Sequence, residues 1–124
     1  NDVTARDWQS RHMQWLLGKS FDTFCPMGPW VVSADECDGT HTNVRTYVNG
    51  EERQNANTQD LIFDIPTLIE TLSAGITLYR GDIIATGTPS GVGHARTPPE
   101  FMKTGDIMET EIVGLGKLRN RIGK

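Results

Sequence analysis

Residues Val44–Asn55 read VRTYVNGEERQN, and this stretch decides the fold class. Asn49-Gly50 falls between two runs with strand character. An Asn-Gly pair suits a type I′ turn, because both central residues need positive φ. The stretch therefore predicts a β-hairpin. Downstream, Gly105-Asp106 marks a turn, Ile107–Ile112 alternates as a strand, and residues 114–122 return against it. A further strand is expected to begin at Thr77–Tyr79, with a turn at Gly81-Asp82. The apolar run Ile83–Thr86 then reads as a short buried strand.

Helix signals are fewer. Thr4 is placed to cap a short helix over Ala5–His12, with Asp7 three residues on resembling a capping box. Asp64-Ile65-Pro66 opens a second helix, capped by Asp64 or Thr67. Leu68, Ile69 and Leu72 form its apolar face, and Gly75 ends it. Gly18–Val32 reads as loop and short strand, and Thr88–Thr97 as a Gly/Pro loop. Many strands, two short helices and frequent turns predict an α+β fold, mainly β. Thirteen Gly and six Pro among 124 residues agree with a chain that turns often.

This length suits one domain, one expected to bury roughly two-thirds of its unfolded surface. The net charge of −4, without any long run of Lys or Arg, argues against a phosphate-tracking nucleic-acid surface. No apolar stretch approaches membrane-spanning length. With no secretory signal in view, Cys25 and Cys37 are expected to be reduced thiols in a cytoplasmic protein. The opening Asn1-Asp2-Val3-Thr4 reads like the interior of a longer protein.

Four features carry potential chemistry. Asp2 lies just before the first helix, and Arg6 and Gln9 are three apart on that helix, so they share a face. Asp2 suits a hard divalent cation, and Arg6 with Gln9 suits a carboxylate or carbonyl. The plain alternative is a capping Asp2 and an Arg6 paired with Asp7 or with a Glu elsewhere. Lys19, in Leu17-Gly18-Lys19-Ser20, is either a surface side chain or a point charge aimed into a cleft; no P-loop precedes it. The run Gly81–Gly93 delivers a Gly- and hydroxyl-rich turn, either a carboxylate-binding loop or simply a corner. His12, His41 and His94 lack metal-ligand spacing and read as exposed, and Cys25 has no evident His partner. Trp8, Trp15, Trp30 and the Phe residues read as core.

Together the segments do what none does singly. NDVTARDWQ, LLGKSFDTFCPMGPWVV, VNGEERQNANTQDLIFDIPTLIETLSAGITLYRGDIIATGTPSGVG and MKTGDIMETEIVGLGKLRN occur in this order. In that order they resemble the fumarylacetoacetate hydrolase family, over nearly the whole chain. The resemblance implies that residues 1–124 form the C-terminal portion of one catalytic domain of stacked β-sheets, usually a homodimer. It implies Mg²⁺ or Mn²⁺ as cofactor, and 2-oxo or 2,4-dioxo acids as substrates.

In the family the metal is held by a Glu-x-Glu pair and a later Asp, which Asp2 matches. Glu51-Glu52 and Glu109-x-Glu111 do not match the pair in position, so the pair is expected upstream of Asn1. Gln9 and Lys19 match pocket-lining catalytic residues, and Arg6 an arginine that contacts substrate in some members. Thr88 matches a residue that contacts the substrate carboxylate, and Thr23 a hydroxyl near the cation in some members. The family's His–Glu pair has no match here, and no role passes to His12.

The leading expectation is hydrolysis of a C–C bond in a small 2,4-dioxo acid during aromatic-compound breakdown. The alternatives are decarboxylation of an oxaloacetate-like acid and isomerisation of a hydroxy-dienoate. An alternative of another class is a non-catalytic fold or dimerisation fragment, since one carboxylate alone holds Mg²⁺ poorly.

Overall fold

In a computed structural model that describes residues 1–123, the hairpin forms where the Asn-Gly pair places it. Strands β1 (Asn43–Val48) and β2 (Glu51–Asn57) pair antiparallel, and Asn49 and Gly50 hold φ of 53° and 82°. Both values are positive, as a type I′ turn requires. A bulge between Thr46 and Tyr47 leaves Arg53 without a Cα partner on β1. Strands β3 (Ile107–Ile112) and β4 (Gly116–Arg121) form the second expected hairpin. The four strands make one antiparallel sheet in the order β2-β1-β3-β4. Asn49 joins the two hairpins: its Oδ1 accepts from the Ile107 amide at 2.9 Å, and its Nδ2 donates to Asp106 at 3.0 Å.

The described residues also form three α-helices. α1 spans Arg6–His12 and α2 Trp15–Lys19. α3 spans Ile65–Ser73, with Pro66 in its first turn. Asp64, not Thr67, caps α3 by accepting the Thr67 amide at 2.9 Å. Thr67's side-chain and backbone hydrogen bonds also hold the Asp64 carboxyl below its usual range.

Four expectations need correction. Thr4 does not cap α1; Ala5 is the capping position and has no side-chain bond. The Ala5 amide is instead tied to the next helix, donating to Gly18 O at 2.9 Å. Gly18 is not in a loop but inside α2, an element obscured because an interior Gly weakens helix propensity. Thr77–Tyr79 and Ile83–Thr86 form no strands: apolar composition alone makes no ladder, and neither run pairs with any of the four strands. Ile83 is 64% exposed rather than buried.

Nor do the tryptophans and phenylalanines form a core, since Trp15, Trp30, Phe63 and Phe101 are 70%, 64%, 61% and 53% exposed. The chain exposes 9396 Å², against roughly 6,600 Å² for a compact domain of this length. Met108, on β3, is the one large apolar side chain buried among the described residues. Apolar surface on α1, α2, α3 and the 76–102 segment therefore goes uncovered by residues 1–123, and the two-thirds burial expected of a single domain is not reached. No helix among the described residues is long and apolar enough to cross a membrane.

Candidate active site

The two short helices assemble most of the polar group. α1 and α2 touch at Gly18, where a Cβ would meet Gln9 Cβ at 2.8 Å and Ala5 O at 3.0 Å. Only a residue without a side chain permits this approach. The contact carries Lys19 to the start of α1, where its Nζ lies 2.7 Å from Asp2 Oδ2. On the facing turn of α1, Arg6 Nη1 donates to Gln9 Oε1. Gln9 is only 6% exposed, an unusual burial for an amide and one satisfied by that bond. Asp2, Arg6, Gln9 and Lys19 thus occupy one two-helix unit, and the plain reading of Arg6 as partner to a neighbouring acid gives way to the Gln9 bond.

A second group lies across the sheet. Thr88 is exposed on the glycine-rich loop, and its Oγ1 accepts from Gln54 Nε2 at 2.8 Å. The same nitrogen donates to Pro89 O at 2.9 Å. Gly91 sits so close to β2 that a Cβ there would meet the Arg53 carbonyl oxygen. Arg53 itself forks onto Glu100, with contacts of 2.6 and 2.8 Å, and lies 3.2 Å from Glu51. Hydrogen bonding to Arg53 pulls the Glu100 carboxyl below its usual range, and the same bond raises the Arg53 guanidinium. Bulges re-aim side chains, and the bulged Arg53 is the residue that anchors the loop's far end.

One row of the sheet spans the two groups. Gln54, Thr46 and Thr110 are successive partners on β2, β1 and β3. At the far end Asn1 Nδ2 donates to Thr110 Oγ1 at 2.7 Å, beside Asp2. Gln54 and Thr110 are two strand spacings apart, about 10 Å. Sequence reasoning gave Asn1, Gly18, Gln54 and Thr110 no part in holding these groups in place. Gln54 lay within the quoted hairpin stretch, but its role depends on a loop 34 residues away.

Other expected residues stand apart. Thr23 is exposed with φ 68° and has no bond to Asp2 among the described residues. His12 stacks on Trp8 with centroids 5.5 Å apart, outside the Asp2 group. Cys25 and Cys37 are free thiols, as expected.

Asp2 fits one ligand position of a hard cation: Oδ1 has no hydrogen-bond partner among the described residues, and its side chain is 49% exposed. No group of three or more His, Cys, Asp or Glu is arranged for a metal among those residues. Glu109 and Glu111 face Arg119 and Lys117 on β4, and Glu51 faces Arg53 and Arg96, so neither acidic pair joins Asp2.

The model of the fumarylacetoacetate (FAA) hydrolase C-terminal family matches residues 1–123. The chain belongs to this family. Among family relatives, it is 55% identical over 124 residues to the oxaloacetate tautomerase YisK of Bacillus subtilis, covering 99% of this chain and 41% of that protein. A solved fumarylacetoacetate hydrolase from psychrophilic Exiguobacterium antarcticum superposes with TM-score 0.96 at 47% identity, over 99% of this chain and 44% of that one. A family hydrolase for maleylpyruvate from Sphingobium sp. SYK-6, solved with manganese(II) and pyruvate, matches with TM-score 0.77 at 44% identity, over 86% and 38%. The chain spans about two fifths of the length of the curated relatives it matches. The family match and the superposition bear out the expected FAA-hydrolase-type α+β architecture.

Proposed function

We propose that the full-length protein catalyses keto–enol tautomerisation of a small 2-oxo dicarboxylic acid of the oxaloacetate type. The observation that carries this reading is the Lys19–Asp2 pair set beside Arg6 and Gln9 by the Gly18 contact. A tautomerase needs a site that stabilises an enolate oxygen and moves one proton, without activating water. The 55% identity to an oxaloacetate tautomerase supports this chemistry ahead of C–C hydrolysis.

A divalent cation, Mg²⁺ or Mn²⁺, would supply Lewis-acid polarisation of the 2-oxo acid, with Asp2 as one ligand and the remaining carboxylates from outside residues 1–124. This chain's own residues then divide the work. The Lys19 ammonium stands where negative charge grows on the former keto oxygen. Arg6 holds Gln9 so that its amide N–H groups orient the ligand, and Thr88 contacts the carboxylate. These donors are set before the substrate arrives, so they stabilise charge without reorganising.

C–C hydrolysis is the second reading. It is favoured by the 44% identity to a maleylpyruvate hydrolase solved with manganese and pyruvate, since acylpyruvate cleavage releases pyruvate.

Enol-enriched oxaloacetate, mixed with the Mn²⁺-loaded full-length protein, separates the two. Rapid decay of the enol's ultraviolet absorbance without pyruvate release is expected. A decay no faster than in buffer, alongside pyruvate release from an acylpyruvate, would replace tautomerisation with hydrolysis.

A further inference from the structure

Gln54 lies outside the set of residues that bear on the reaction, yet its geometry constrains one that does. Its Nε2 is within 2.9 Å of Pro89 O and 2.8 Å of Thr88 Oγ1. A backbone carbonyl can only accept, so the end of the Gln54 side chain facing the loop is its amide nitrogen, not its oxygen. That nitrogen carries two N–H groups, and both are used. Thr88 Oγ1 therefore accepts from Gln54. A hydroxyl has one hydrogen to give, and Thr88 has no other partner among the described residues. Its hydrogen is left for a ligand.

We infer that Gln54 is a positioning residue that holds the Thr88 loop to the sheet and fixes the Thr88 hydroxyl as a donor toward an anionic ligand. The inference deepens the proposed function and rests on its reading of Thr88 as a carboxylate contact. The sheet gives the arrangement its rigidity. Gln54 extends from β2, in the row that continues through Thr46 to Thr110 and Asn1. Gly91, against the Arg53 carbonyl, brings the loop close enough for one amide to reach both acceptors.

The test uses the full-length protein with Mn²⁺, and oxalate as the probe. Gln54→Glu is nearly isosteric but can only accept, so Thr88 must turn and donate to it. Oxalate affinity should fall by about tenfold or more, while affinity for Mn²⁺ alone stays unchanged. A new carboxylate could also repel oxalate directly, and Thr88→Val tells the two effects apart. If Gln54 acts through the hydroxyl, Gln54→Glu costs little in a protein that already carries Thr88→Val. Additive losses, or a Gln54→Glu protein that binds oxalate like the wild type, would overturn the inference. Gln54→Met gives a second readout: amide hydrogen exchange across residues 88–93 should quicken without a change in overall melting temperature, and unchanged exchange counts against loop holding. A wild-type protein that binds oxalate but leaves oxaloacetate enol untouched would sink the tautomerase reading alone.

Discussion

Lys19 Nζ lies 2.7 Å from Asp2 Oδ2 although the two are seventeen positions apart in the chain. The pair joins the residue matched to a metal ligand with the residue matched to a catalytic cation. Neither side chain is deeply buried, at 26% and 49% exposed, so the pair adds little to stability and matters for what it places together.

Removing the ammonium should therefore cost turnover rather than folding. Lys19→Ala in the full-length protein is expected to lower kcat about a hundredfold or more, with little change in melting temperature. Steady-state kinetics beside a thermal scan checks both. Undiminished turnover would take Lys19 out of the site.

Asp2→Ala makes the complementary prediction for the cation. Titration calorimetry of Mn²⁺ with oxalate should show binding to the full-length wild type and its loss in the variant. Retained binding would mean that Asp2 is not a ligand.

Gly18→Ala tests the contact that brings Lys19 to Asp2. A methyl group there meets Gln9 Cβ at 2.8 Å and backbone atoms of Ala5 and Gln9 at 3.0 Å. Backbone cannot yield as a flexible side chain does, so α1 and α2 must separate. The expected loss is about 1–3 kcal/mol, read by urea unfolding, with reduced kcat. Because Ala is a better helix former than Gly, a stabilised variant would show that the close contact is unimportant.

Asn49 should be sensitive in a graded way. Asn49→Gly keeps the left-handed turn but loses the bonds to Ile107 and Asp106, whereas Asn49→Ala loses both. Unfolding experiments should rank Ala as the more damaging, by about 1 kcal/mol. Equal losses would assign the whole effect to the side-chain bonds.

The Glu100–Arg53 fork predicts a pH dependence of the loop. The Glu100 carboxyl is lowered in the folded protein, chiefly by its hydrogen bonding to Arg53. The contact therefore contributes fully above the ordinary glutamate range, and its contribution fades as pH falls through the lowered value. Exchange protection over residues 88–100, corrected for intrinsic rates, should weaken in acid, and Glu100→Gln should flatten that dependence. A Glu100→Gln profile identical to wild type would show that another group governs the loop.

What the sequence disclosed followed from how local each signal was. The Asn49-Gly50 turn, the β3–β4 hairpin and the Asp64 cap are written within a few adjacent residues, and each formed where expected. Ile83–Thr86 has the composition of a buried strand, but composition does not supply a hydrogen-bonded partner, and the run pairs with none of the four strands. α2 hid behind Gly18, whose small size serves contact with α1 rather than a turn. The family resemblance named Asp2, Arg6, Gln9, Lys19 and Thr88, and the structure brings the first four together in one two-helix unit. Residues whose part depends on distant register, such as Gln54 and Thr110, carried no local mark. Thr23 matched by position, yet among the described residues no bond ties it to the Asp2 group.

β2 is an outer strand of the sheet that the described residues form, and the loop that carries Thr88 lies against it through Gly91, Gln54 and Arg53. An uncovered outer strand is a template on which a stray chain can add itself. The loop thus also stands guard over the sheet's recruiting side. Variants that detach it, Gly91→Val foremost, should form more insoluble material at high concentration as well as bind oxalate poorly, so sedimentable protein becomes a second gauge of whether the loop is seated.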